Sequence, residues 1–259
     1  GLVGSEMCIR DRNSAFHSVQ FWDGRAPLLE DQAKGPVANP VEMGMENVET
    51  AMERVRRIPG YKVYFDRAFG KDSMTVDNAA KAVAAFERTL ITPDSPYDKY
   101  VKGDKKAMTA QQVRGMETFA AVGCTSCHSG AAFNGPKMPF GQGFYAKFPT
   151  FADNEYVKKY DLSTDKGREE VTGKAADAHM FRVSTLRNIT DTAPYFHNGS
   201  VNDLSVAVTL MAKTQLNKDL SDAEVKDIVA FLGALTGEYP EITMPRLPAT
   251  SGFSVVADK

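Results

Sequence analysis

Apolar residues along this chain recur at intervals of three and four far more often than they alternate, so helix is the expected element almost throughout. Val48, Met52 and Val55 share one stripe of a helix expected to stop at Pro59-Gly60. Ala79, Val83, Phe86 and Leu90 make a second stripe, closed by Pro93. A third helix starts at Thr109 and carries Val113, Met116 and Phe119 on its apolar face, and Leu204, Val208 and Met211 mark a fourth. In the last, Ser221 and Glu224 form a capping box ahead of Val225, Ile228, Val229, Leu232 and Leu235, with Gly237 as the stop. Residues 130–176, rich in Gly, Pro, Asn and Asp, keep no regular period. The polar, turn-rich run ITPDSPYDKYVKGDKK (91–106) reads as a linker between two domains. The expected fold class is all-α.

Composition narrows the class. A chain of 259 residues, 42% apolar and 25% charged, has enough material for one large core or two ordinary ones. Its net charge of −2 lacks the basic excess that nucleic acid demands. Arg54, Arg56 and Arg57 alternate with Glu49 and Glu53, the pattern of a solvated helix face. No run of about 18 apolar residues exists, so no membrane span is expected, and no apolar core of a secretory signal lies near the start. The opening string GSEMCIRDR resembles a translated sequencing-adapter remnant. Residues 1–12 are therefore expected to be a non-native leader, in which Cys8 has no role.

Chemistry concentrates at Cys124-Thr125-Ser126-Cys127-His128, the C-x-x-C-H arrangement of covalent haem attachment. Both thiols can add to the haem vinyl groups, and the adjacent imidazole can reach the iron. With three Cys and four His in the chain, shuffling yields this pattern only roughly 4 × 10⁻⁴ times. A zinc site would need two more ligands at suitable spacing, and the one other Cys, Cys8, is far upstream. A thioredoxin-like pair would need a strand before it, where the Thr109–Val122 pattern is helical. Helix, C-x-x-C-H, long irregular excursion and closing amphipathic helix is the order of a c-type cytochrome domain, and long loops suit a segment that wraps a cofactor. Covalent haem of this type is attached outside the cytoplasm, so a periplasmic location is expected of a mature or truncated chain.

By pattern alone, Met211 is an ordinary core residue among eleven methionines. A wider resemblance changes its weight. TAPYFHNGSVNDLSVAVTLM (192–211), FRVSTLRNI (181–189), FWDGRAPLLEDQAKGPVANPVEM (21–43) and AAFERTLITPDSPYDKY (84–100) resemble the bacterial di-haem cytochrome c peroxidases, nearly continuously from Asn13 to Gly237. The resemblance implies a c-type cytochrome domain at 106–240, the remainder of a peroxidatic domain with its linker at 13–105, and a tail at 241–259. It implies reduction of hydrogen peroxide with electrons from a small cytochrome c or cupredoxin. His128 and Met211 would be the axial ligands of the electron-transferring haem; related maturation enzymes of methylamine dehydrogenase carry a Tyr in place of that Met.

The resemblance further assigns the proton-transferring carboxylate to Glu42 and the peroxide-orienting amide to Gln32, both otherwise surface loop residues. Trp22, the single Trp, would lie on the electron path, with His197 of PYFH beside it; a core anchor and a packed loop histidine are the plain alternatives. Arg182 and Arg187 would pair with haem propionates, against simple surface ion pairing. Thr192 and Pro194 would lend backbone carbonyls to a calcium site whose Asn ligand falls in the suspect leader. His17 and His179 match no ligand position and read as ordinary packed or exposed histidines. The family's upstream C-x-x-C-H is not in this sequence, so one covalent haem is expected here and two in the parent. That makes the chain electron-transferring but inactive toward peroxide. A single-haem carrier without enzymatic role is one rival and a related di-haem maturation enzyme the other, and a symmetric homodimer is a further expectation from the family.

Overall fold

The structure is a computed structural model that describes residues 12–243 and 246–248; all of the expected leader but Arg12 lies outside them, as does Cys8. Two compact units are present. The first holds residues 28–89 with the described part of 241–248, and the second holds 12–27 and 90–240.

The first unit consists of helices α1 (Leu29–Gln32), α2 (Gly35–Ala38), α3 (Val48–Arg56), α4 (Pro59–Phe69) and α5 (Val76–Glu87). Asn47 caps α3 by accepting from the Thr50 N–H at 2.8 Å, and Thr75 caps α5 through Asn78. Pro59 opens α4 instead of closing α3, because a first-turn proline lacks only an N–H that has no helical acceptor. The stripe expected on α5 is also rotated. Ala80 and Ala84 are buried, while Val83 and Phe86 are 47% and 48% exposed. The small alanines let α1 and α3 pack closely, and that approach, not bulk, sets the buried face.

The second unit comprises α6 (Pro96–Val101), α7 (Ala110–Val122), β1 (Tyr145–Lys147), α8 (Glu155–Lys159), α9 (Glu169–Thr172), β2 (Met180–Arg182), α10 (Leu204–Leu216) and α11 (Asp222–Gly233). Capping boxes start α6, α7 and α11, at Ser95/Asp98, Thr109/Gln112 and Ser221/Glu224. Helix α11 stops at Gly233, four residues before the expected Gly237. Phe119 of α7 meets Phe231 of α11 at 5.4 Å between ring centroids, over a core that includes Ile228, Leu232 and Leu235. Gly115 is required at this crossing, since a Cβ there would collide with the Asp227 carbonyl.

Two features correct the all-α, 106–240 expectation. β1 and β2 pair antiparallel, with Tyr145 opposite Arg182, inside and just beyond the supposedly irregular excursion, so the fold is mostly helical with one small sheet. Residues 13–27 and 90–105 belong with the haem-motif unit. The Asn13 N–H donates to the Leu90 carbonyl at 2.9 Å, and Tyr97 packs edge-on against Phe133 and Phe231. Among the described residues no helix is long and apolar enough to cross a membrane.

Candidate functional site

Gly123, at φ 106°, ends α7 in a left-handed conformation open to glycine at little cost. The chain then tightens into a 3-10 turn, Cys124–Ser126, closed by the His128 N–H on the Cys124 carbonyl at 2.9 Å. This turn gathers both thiols and the imidazole at one cavity of about 520 Å³. Its walls include Phe119, Leu186, Ile189, Leu204, Val208 and Leu232, and its volume is in the range of cofactor sites. Met211 reaches the same cavity from α10, along the stripe Leu204, Ala207, Val208, Met211 and Gln215. Thus helical spacing, which marked Met211 only as a core residue, also aims it at the cavity.

His128 Nδ1 lies 3.0 Å from the Phe133 carbonyl, to which its N–H donates, so Nε2 is the ring nitrogen that could hold a metal. Burial lowers its pKa, partly offset by the carbonyls of Phe133 and Ser184. Burial also pushes the Cys124 thiol up to about 11, so it is protonated at neutral pH in this packing.

Around the rim, His197 stacks on Phe181 at 4.4 Å and meets Trp22 edge-on at 6.5 Å. Its Nε2 is buried without a partner, and desolvation lowers its pKa. Trp22 is 36% exposed and lines the cavity. Arg182 is positioned by β2; its backbone N–H donates to the Trp22 carbonyl at 2.7 Å and its Nε to Phe21. Its Nη1 is buried and unpartnered, and burial brings its pKa down to about 10.

Arg187 departs from expectation. Its Nη1 and Nη2 form a two-pronged pair with Asp98, both bonds at 2.8 Å. Nη1 also donates to Ser95, and Nε and Nη2 donate to the Ala131 carbonyl. All five N–H groups are used within the protein, leaving none for a propionate. Sequence reasoning missed the reverse case, His17, which is 8% exposed, lines the cavity and has a buried, unpartnered Nε2. Its five-residue distance from Trp22 was the one available signal.

Glu42 and Gln32 stand in the first unit: Glu42 on an exposed turn after α2, Gln32 half-buried at the end of α1. No hydrogen bond joins them. Thr192 and Pro194 line the cavity, and the Asn position expected to complete a calcium site falls outside the described residues. His179 bonds the Asp165 carbonyl at 3.0 Å, as an ordinary packed histidine does.

A mostly helical framework with a haem-attachment turn and a Met on one apolar cavity defines a c-type haem protein. The model of the family described as di-haem cytochrome c peroxidase matches residues 9–106. The cytochrome c551 peroxidase of Pseudomonas aeruginosa is 44% identical over 246 residues, covering 92% of this chain and 67% of that protein. That of Nitrosomonas europaea is 42% identical over 240 residues, covering 92% and 68%. A solved MauG-like protein associated with microbial copper homeostasis aligns with a TM-score of 0.71 at 25% identity, over 88% of this chain and 74% of that one. The chain belongs to the di-haem cytochrome c peroxidase family.

Proposed function

We propose that this chain is the electron-entry portion of a periplasmic cytochrome c peroxidase, serving reduction of hydrogen peroxide to water with electrons from a small cytochrome c or cupredoxin. The observation that carries this reading is that Cys124, Cys127, His128 and Met211 all line one apolar cavity. Cys124 and Cys127 would hold the haem covalently, with His128 and Met211 at the iron. When bound, the haem would supply one-electron carriage, at a potential raised by having a Met as well as a His ligand.

The chain's own groups do the rest. The Phe133 carbonyl holds the His128 proton on Nδ1, and the apolar walls exclude water. Trp22 and His197, in ring contact, form the path by which electrons leave the site. Glu42 would carry a proton from one peroxide oxygen to the other while Gln32 orients the substrate. The sequence contains one C-x-x-C-H, so electron transfer is the activity proposed for it alone, with peroxide turnover requiring a second haem.

Production with haem-ligation machinery tests the reading. The expected product is heavier than the polypeptide by one haem, with Soret absorbance that survives denaturation; a bare polypeptide mass overturns it. Met211→Ala should abolish the low-spin His/Met spectrum, including its weak sulfur-linked band at the red end. An unchanged spectrum removes Met211 from the assignment.

A further inference from the structure

The cavity has an unbalanced lining. Arg12, Lys147, Arg182, Arg187 and three histidines border it, and among the described residues no Asp or Glu does. Arg187 is neutralised by Asp98, but other lining groups are left with buried nitrogens and no acceptor: besides Nε2 of His197, described above, two stand together on the segments around β2 and Trp22. These are Nη1 of Arg182 and Nε2 of His17, the latter on a side chain more than nine-tenths buried. Arg12, whose guanidinium lies 4.3 Å over the Tyr239 ring, adds further unpartnered buried nitrogens to the same lining. Native proteins rarely bury donors without partners, least of all charged ones, so such a cluster calls for an anion.

Taking the haem reading above as the basis, we propose that His17 and Arg182, not Arg187, grip a haem propionate. The propionates are the anionic groups of a tethered haem, and a carboxylate has enough lone pairs to accept from an imidazole and a guanidinium together. Arg182 is already oriented by its Nε bond to Phe21 and its place in β2, which leaves Nη1 as the prong without a protein acceptor. His17 follows the 3-10 turn Ser14–Phe16, and the Asn13 bond to Leu90 holds that segment. Burial first, and the neighbouring Arg182 second, keep His17 well below the ordinary histidine pKa. A carboxylate beside both would offset the Arg182 contribution and favour donation from Nε2.

Resonance Raman spectroscopy of the haem-loaded protein reads this contact through the propionate-bending band. The band should shift on deuteration of exchangeable protons in the unsubstituted protein, and should shift again in His17→Leu. His17→Gln, which keeps an N–H donor, should return it toward the original position, and His179→Gln, away from the cavity, should leave it in place. An unmoved band in His17→Leu with covalent haem intact overturns the propionate assignment alone. So does the absence of a deuteration shift, a measurement that needs no variant to fold, or an equal shift in His179→Gln. Absence of covalent haem in the unsubstituted protein overturns the haem reading and this assignment together.

Discussion

Asp98 settles what Arg187 can do. Their side chains are 12% and 19% exposed, a sheltered ion pair, and Asp98 also closes the capping box of α6. Burial alone would push the Asp98 carboxyl up, but bonds from Arg187 and then Ser95 outweigh it and hold it below the ordinary value of 3.8. A carboxyl depressed in the folded state contributes stability that is fully present above its unfolded value and is lost as pH falls through the folded one. Asp98→Ala should therefore cost about 3 kcal/mol at neutral pH, by leaving a sheltered guanidinium unpaired, and much less once Asp98 is protonated in the parent protein. Urea melts of both proteins at pH 7 and in strong acid measure the difference; an equal deficit at both would refute the pairing's role. Cys124, Cys127 and His128 were legible as a candidate site because C-x-x-C-H is a local spacing, and the structure gathers the three at one cavity. The Arg187 pairing was not, since its carboxylate lies 89 positions upstream and only the tertiary fold brings it near. His17 was missed for a related reason: residue type does not announce burial.

Among the elements, those with local punctuation were the most legible. Thr109/Gln112 and Ser221/Glu224 mark helix starts that the structure reproduces, because a capping box is made from residues three apart. Ser221→Ala should lower stability by about 1 kcal/mol, visible as a shift in urea midpoint without a change in slope. Helix faces were less legible: on α5 the larger apolar residues point outward, since closeness of approach rather than hydrophobicity chose the buried side. The α7–α11 crossing follows the same logic. Gly115→Ala gains about 1 kcal/mol in helix propensity yet should be net destabilising, because the new methyl meets the Asp227 backbone. A melting temperature equal to or above that of the parent would show that the helices can separate at little cost.

For the whole molecule, two compact units are present, and residues 90–105 group with the haem-motif unit. The polar run 91–106 looks like a linker by composition, yet Ser95, Tyr97 and Asp98 within it are tied into the haem-motif unit. Long-range bonds of this kind leave no local signature. A haem held in the cavity of about 520 Å³ inside that unit, as proposed above, would contribute to its packing. The double variant Cys124→Ser, Cys127→Ser, produced under the same conditions, should lack denaturation-resistant Soret absorbance. It should melt roughly 10 °C or more lower, as expected for a loss of about 4 kcal/mol at this chain length. Equal melting temperatures would indicate that the framework is complete without the cofactor.

The five-bond anchorage of Arg187 reaches further than charge balance. Two of its bonds end on Ala131, within the short loop whose Phe133 carbonyl holds the His128 ring. That loop is thereby tied to Arg187, and an iron held by His128, as proposed above, would be bound to a ring with little room to tilt. A ligand that barely moves between oxidation states lowers the reorganisation energy of electron exchange, so in that role the clamp would favour rapid hopping over a long-lived trapped state.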